Sequence, residues 1–181
     1  MVRELFLFSK LELGKVDFQW ERVYLPDVLN EYVRLQCQPL QDQGFVLCFK
    51  NQLGRSAAMV RLDRMQFRRV LDNILSNAIK YKAGDHGELT FSLSEQDQGL
   101  LLACEDRGKG VAEKELPHLF EAFYRTDKAR SEVAKGSGLG LAVTAGIIQA
   151  MGGKIWAEAA RPQGLCIKIW LPETGKGSEQ K

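Results

Sequence analysis

The chain has 181 residues, 45% of them hydrophobic, which is enough for one globular domain with its own core. Its 25 Lys and Arg nearly balance its 23 Asp and Glu, leaving a net charge of +2. The basic residues are scattered among acidic ones, so the chain lacks the long basic runs typical of nucleic-acid-binding tails.

Hydrophobic periodicity and turn residues divide the first half of the chain into helices and short strands. Asp63 followed by Gln66 is a variant capping box at the start of the longest helix, and Gly14 is typical of a helix end. The predicted elements are a helix over 1–12, an edge strand over 16–23, a helix from Pro26 or Asp27 to about Leu40, two strands around a turn over 44–50 and 57–62, and a helix over 63–82.

Short turns join several strands in the second half. Gly152 and Gly153 form the expected glycine C-cap of the last helix. The predicted elements are strands over 88–93 and 100–106, a short helix near 113–123, a helix over 139–151, and strands over 154–160 and 165–172. This order favours an open mixed sheet covered by helices on one face over a doubly wound parallel sheet.

The four cysteines, Cys37, Cys48, Cys104 and Cys166, lie far apart and lack the spacing of zinc ligands. They predict buried free thiols in a reducing compartment. The longest apolar run near the start, Leu5–Phe8, is too short for a membrane span or a signal sequence.

Polar side chains recur on one side of the predicted helix over 63–82. Asn73, Asn77, Lys80 and Tyr81 are three and four residues apart and share a face. Amide oxygens can bind a hard cation, and a lysine can balance phosphate charge. An ordinary solvated helix face is the alternative, although asparagine within a helix is unfavourable.

A carboxylate and two glycines follow the predicted strand over 100–106. Asp106 stands at the strand end, and Gly108 and Gly110 turn the chain immediately. A half-buried carboxylate there could accept a hydrogen bond from the amino group of a purine. A plain turn is the alternative.

Three glycines at alternate positions, Gly136, Gly138 and Gly140, precede the predicted helix over 139–151. A glycine loop feeding a helix N-terminus can bind phosphate through backbone N–H groups, but a flexible loop before a packed helix is also common. The spacing matches neither a P-loop nor a dinucleotide fingerprint.

Taken together and in this order, these motifs resemble the ATP-binding catalytic domain of sensor histidine kinases, within the wider group of gyrase, Hsp90 and MutL. "LDNILSNAIKY" is similar to the N box, "DRGKG" to the first glycine box, "LFEAFYR" to the phenylalanine box and "GSGLGL" to the second glycine box. The resemblance covers about residues 16–172.

The resemblance implies a Bergerat-type ATP-binding fold, a two-layer α/β (α+β) sandwich, over residues 15–172. By the same resemblance, residues 1–14 are the end of the second helix of the dimerisation and phosphoacceptor domain. Residues 173–181 are expected to be a disordered tail.

The resemblance also implies the cofactors, ATP and Mg²⁺, and the role of each site residue. Asp106 would read the adenine amino group, Asn77 would ligate the metal, and residues 111–135 would form a lid. Asn73, Asn77 and Lys80 are the implied catalytic residues. The implied nucleotide-binding residues are Asn73, Asn77, Lys80, Tyr81, Asp106, Gly108, Gly110, Val111, Phe123, Arg125, Gly136, Gly138, Leu139, Gly140 and Leu141.

The type of chemistry depends on Asn73. Hydrolysing relatives carry a glutamate at this position to activate water, and an amide cannot accept that proton at neutral pH. The resemblance therefore implies transfer of the γ-phosphoryl to a histidine. Neither His86 nor His118 lies in the family's phosphoacceptor context. We thus expect a fragment that binds Mg-ATP without phosphorylating itself.

Two departures from the family pattern leave alternatives open. Ala122 stands where the phenylalanine box often has arginine, so Arg125, Lys128 or Arg130 would contact the γ-phosphate. Leu165 and Cys166 replace a Ser-Thr pair whose threonine helps to hold the adenine-reading aspartate. A gyrase- or Hsp90-type ATPase and a pseudokinase interaction module remain the alternative functions.

The resemblance further implies the partners and the location. The partners would be the parent's dimerisation and phosphoacceptor domain and a downstream response regulator, with no nucleic acid. The fragment is expected to be a monomeric cytoplasmic domain, whose parent could be anchored in the membrane.

Overall fold

The computed structural model describes residues 2–54, 58–126 and 136–174. Its elements in chain order are α1 (Val2–Glu12), β1 (Glu21–Tyr24), α2 (Leu25–Gln41), β2 (Phe45–Asn51), β3 (Met59–Leu62), α3 (Arg64–Lys80), β4 (Gly87–Gln96), β5 (Gly99–Asp106), a 3₁₀-helix (Glu113–His118), α4 (Gly140–Ala150), β6 (Lys154–Ala159) and β7 (Leu165–Pro172).

The main sheet has five strands in the order β2-β4-β5-β7-β6. β2 pairs parallel with β4, and the other three pairings are antiparallel. Leu89, Phe91 and Leu93 of β4 are buried, and so is Thr90, whereas Ser92 and Ser94 are half-buried. This period of two indicates that the helices cover one face. The predicted mixed sheet with helices is confirmed.

A second sheet of two strands, β1 and β3, was not predicted. The expectation that residues 44–50 and 57–62 would be paired around a turn is wrong, because β2 pairs with β4 and β3 pairs with β1. β1 begins only at Glu21, since the backbone N–H of Gln19 donates to Asp63 Oδ2 at 2.8 Å instead of to a strand.

Helix α3 packs as its sequence predicts, and one half of its predicted capping box forms. The Asp63 side chain accepts a hydrogen bond from the backbone N–H of Gln66, which satisfies one free N–H group of the first turn. Gln66 Oε1 is buried and has no hydrogen-bond partner among the described residues, so the second half of the capping box does not form. The predicted stripe is buried against the sheet and comprises Phe67, Val70, Leu71, Ile74 and Ala78.

Helix α1 packs against α4. A side chain at Gly146 of α4 would lie 3.2 Å from Leu11 Cδ1, so a glycine permits this close approach. No residue of α1 is fully buried, but Leu7, Phe8 and Leu11 pack against the core. The contact brings the first turn of α1 close to the loop that precedes α4.

The cysteines and the end of the chain differ in part from expectation. All four cysteines are free, but only Cys104 and Cys166 are buried. The backbone N–H of Thr174 donates to Met59 O at 2.8 Å, so the first residues of the predicted tail are hydrogen-bonded to β3. The rest of that tail, residues 175–181, lies outside the described residues. Within the described ranges, no helix has the length and hydropathy needed to span a bilayer.

Candidate functional site

A cleft of about 340 Å³ opens between α3, the end of β5 and the residues that lead into α4. It brings together residues that are far apart in sequence, as a ligand-binding site requires. The predicted site residues that line it are Asn73, Asn77, Lys80, Tyr81, Asp106, Gly110, Val111, Arg125, Gly136, Gly138, Gly140 and Leu141.

Helix α3 presents a polar face to the cleft, with Asn73, Asn77 and Lys80 along one side. Ile74 and Leu75 are buried on the opposite side. The Lys80 ammonium lies 4.8 Å from the centre of the Tyr81 ring, and a side chain at Gly136 would come within 2.7 Å of Lys80 Nζ. Lys80 thus reaches from α3 to the loop before α4, where it contributes a positive charge.

Asp106 lies at the end of β5, inside the cleft. Its Oδ1 accepts hydrogen bonds from the backbone N–H groups of Gly108 (2.8 Å) and Leu165 (3.2 Å). Burial raises the pKa of the Asp106 carboxyl, and these two hydrogen bonds oppose the rise. No described residue donates to Oδ2. The carboxylate can therefore accept a hydrogen bond from a ligand N–H group.

The backbone around Asp106 explains the first glycine of its motif. A side chain at Gly108 would come within 2.6 Å of the Tyr81 carbonyl oxygen. Only glycine allows the turn after β5 to approach the end of α3 this closely. Gly108 itself does not line the cleft but holds Asp106 and Tyr81 together.

The glycine loop, defined here as residues 136–140, turns sharply into α4. Gly138 has a φ of +72°, and its carbonyl oxygen accepts a hydrogen bond from the backbone N–H of Phe123 at 3.0 Å. The N-cap residue of α4, Leu139, makes no side-chain cap. The first turn of α4 therefore presents backbone N–H groups and a partial positive charge next to Lys80.

Asn73 and Asn77 differ in how their side chains are held. Asn73 Nδ2 donates to Gly140 O (2.9 Å) and to Thr144 Oγ1 (3.2 Å), which ties α3 to α4. The Asn77 side chain makes no hydrogen bond to the described residues, so its amide is open to the cleft. These amide oxygens suit a hard cation that is bound mainly through phosphates and water. The described residues contain no cluster of three His, Cys, Asp or Glu that could hold a metal ion without such help.

Three predicted site residues lie outside the lining of the cleft. Gly108 supports Asp106, as described above. Leu139 is buried in the protein, and Phe123 is 60% exposed with a φ of +66°. Lys128 and Arg130, and the part of the predicted lid over 127–135, lie outside the described residues.

The departure from the family pattern at Leu165 and Cys166 has a structural outcome. The backbone N–H of Leu165, not a side-chain hydroxyl, donates to Asp106. Cys166 is buried, and burial raises the pKa of its thiol to about 11. The Asp106 carboxylate is therefore held by a backbone group, although this chain lacks the threonine that the family pattern has here.

Sequence reasoning missed Glu4, and it placed Leu119 and Tyr124 in the phenylalanine box but not among the site residues; all three line the cleft. Ser137 Oγ donates to Glu4 Oε2 at 2.9 Å across 133 positions of sequence. No local pattern signals this contact, because it depends on how α1 packs against α4.

A family model described as "Histidine kinase-, DNA gyrase B-, and HSP90-like ATPase" matches residues 62–175. The chain belongs to this family. This confirms the resemblance inferred from the four motifs. The match includes both asparagines of α3, Asp106 and the glycine loop.

Within this ATPase family, the chain is similar to sensor histidine kinases. It is 33% identical over 174 residues to sensor histidine kinase WalK of Bacillus subtilis, covering 95% of this chain and 28% of that protein. It is 29% identical to sensor protein kinase WalK of Staphylococcus saprophyticus, with the same coverage. The chain thus spans just over a quarter of these relatives.

Solved structures agree on the fold. The catalytic domain of histidine kinase ThkA superposes with a TM-score of 0.72 at 24% identity, covering 87% of this chain and 100% of that one. Mycobacterial sensor histidine kinase MprB superposes with a TM-score of 0.66 at 27% identity, covering 84% of this chain and 97% of that one. Full-length ShkA in complex with AMPPNP superposes with a TM-score of 0.79 at 23% identity, covering 98% of this chain and 36% of that one. The chain therefore has the fold of histidine kinase ATP-binding domains.

Proposed function

We propose that this domain binds Mg-ATP and delivers its γ-phosphoryl to a histidine on the dimerisation and phosphoacceptor domain of a longer sensor kinase. One observation carries the proposal. A single cleft holds a carboxylate acceptor, Asp106, together with an electropositive region formed by Lys80 and the glycine loop. A purine nucleotide carries the matching donor and negative charges on one molecule.

In this proposal, each side of the cleft has a binding role. Asp106 Oδ2 accepts a hydrogen bond from the adenine amino group. Lys80 and the first turn of α4 stabilise the phosphates. Asn77 would hold Mg²⁺ through its amide oxygen, and the bound metal would neutralise charge on the phosphates.

Transfer is favoured over hydrolysis because the structure commits Asn73 to hydrogen bonds with α4. Both contacts of its amide nitrogen go to Gly140 and Thr144. An amide in this position cannot take a proton from water at neutral pH. The domain positions the nucleotide, and the nucleophile comes from outside the cleft.

The two histidines of the chain support an external acceptor. Neither His86 nor His118 lines the cleft. His118 Nδ1 lies 2.7 Å from Glu121 Oε1 on the protein surface, and its ring lies against Tyr124. The structure of ThkA with the response regulator TrrA supports a response regulator as a downstream partner here. In this proposal, the domain lies on the cytoplasmic side of a parent kinase.

Calorimetry with AMPPNP, with and without Mg²⁺, tests nucleotide binding, and incubation with γ-labelled ATP tests the chemistry. We expect magnesium-enhanced binding, no phosphohistidine on this chain and little free phosphate. Absence of binding at millimolar nucleotide would contradict the proposal and favour a pseudokinase interaction module. Steady phosphate release over many turnovers per minute would instead favour a gyrase- or Hsp90-type ATPase.

A further inference from the structure

Thr144, in the second turn of α4, is a polar residue with no exposed surface. Its Oγ1 donates to the Gly140 carbonyl oxygen at 2.9 Å, and Asn73 Nδ2 lies 3.2 Å from the same Oγ1. Asn73 Nδ2 also donates to Gly140 O at 2.9 Å. These three residues form a closed hydrogen-bonded triangle between α3 and α4.

The donors and acceptors of this triangle allow only one arrangement. A carbonyl oxygen can only accept, so Gly140 O requires a hydrogen from each neighbour. The single hydroxyl hydrogen of Thr144 is directed to Gly140 O, and the Thr144 oxygen is then left to accept from Asn73. The Asn73 amide nitrogen therefore faces α4, where both of its described acceptors lie.

This arrangement determines what Asn73 offers to the cleft. With the amide nitrogen held by α4, Oδ1 is on the other side of the amide and receives no hydrogen bond from the residues that the structure describes. Asn77 is one helical turn away on the same face and also lines the cleft. The side-chain oxygens of Asn73 and Asn77 are thus both available as acceptors on the α3 side of the cleft.

We propose that Thr144 is a positioning residue, which orients the Asn73 amide so that Oδ1 accepts a hydrogen bond from a water bound to the nucleotide's Mg²⁺. The inference rests on the proposed function. Mg²⁺ in nucleotide sites keeps several of its waters, so acceptors one helical turn apart can bind the metal and its hydration shell. An amide nitrogen facing the cleft could not accept a hydrogen from that water.

The role depends on the hydroxyl group of Thr144 and not on the shape of its side chain. Valine has nearly the same shape but cannot accept from Asn73 or donate to Gly140, so the Asn73 amide nitrogen loses one of its two acceptors. Serine retains the hydroxyl without the methyl group. The pair Thr144→Val and Thr144→Ser therefore separates orientation of the amide from packing of α4.

Calorimetry with AMPPNP in Mg²⁺ and in EDTA tests the inference on the full chain. We expect Thr144→Val to weaken binding in Mg²⁺ about fivefold and to leave binding in EDTA unchanged. Thr144→Ser should stay within about twofold of wild type in both buffers. Asn73→Ala should cause the same magnesium-specific loss, to which Thr144→Val adds nothing in the double variant.

Equal losses in Mg²⁺ and EDTA, or no loss in either, would overturn the role assigned to Thr144. Thr144→Ala, which also removes the hydroxyl, gives the same test if the valine variant does not fold. Wild-type protein that binds no AMPPNP in either buffer would contradict the proposed function itself. Wild-type binding without a magnesium-specific loss in the variants would contradict only this inference.

Discussion

Replacing Asp106 with asparagine changes one acceptor in the cleft and little else. Gly108 and Leu165 both donate backbone hydrogen bonds to Oδ1, so the asparagine oxygen must occupy that position. The amide nitrogen then takes the place of Oδ2 and faces the cleft. There a donor would meet the amino group of adenine, which is also a donor.

The expected loss combines a missing hydrogen bond with a buried donor left without an acceptor. Together these cost about 2 kcal/mol, or roughly thirtyfold in nucleotide affinity. Calorimetry with AMPPNP measures the loss, and thermal unfolding checks that the fold survives. Glu105→Gln is the matched control, because it removes a neighbouring exposed charge that does not line the cleft. Affinity of Asp106→Asn within threefold of wild type would refute the assignment of Asp106 to the base.

Three further predictions concern charge in and around the cleft. Lys80→Met should weaken AMPPNP binding about tenfold and leave adenosine binding unchanged, whereas Lys82→Met, outside the cleft lining, should alter neither. Glu4→Gln removes a negative charge beside the glycine loop, so AMPPNP affinity should rise about threefold in calorimetry, with Glu12→Gln as the control on the same helix. Burial raises the pKa of Asp106, so ionisation at pH 7 destabilises the folded state. Without nucleotide, Asp106→Asn should therefore unfold at higher urea than wild type at pH 7, and this difference should disappear below about pH 4. Equal urea midpoints for Asp106→Asn and wild type at pH 7 would contradict the expected stabilisation.

Local patterns were enough to predict the parts of the site that depend on one element. The spacing of Asn73, Asn77 and Lys80 on a single helix placed all three on one face, and the glycines after Asp106 marked the end of a strand. Each of these predictions needs only the period of a helix or the angles open to glycine. The structure brings these segments together in one cleft, and the roles of the residues stay predictions.

Contacts between distant segments could not be predicted from the same patterns. The strands over 44–50 and 57–62 are close in sequence, which favoured pairing around a turn. The structure instead pairs the first with β4 and the second with β1. The contact of Glu4 with Ser137 likewise depends on the packing of α1 against α4. Such pairings are decided by burial of whole faces, which no short stretch of sequence records.

The most direct test of the central claim is a crystal structure of this chain with AMPPNP and Mg²⁺. We predict that the adenine amino group lies within hydrogen-bond distance of Asp106 and that the phosphates lie between Lys80 and the glycine loop. A structure in which this cleft is empty while AMPPNP occupies another surface would contradict the account.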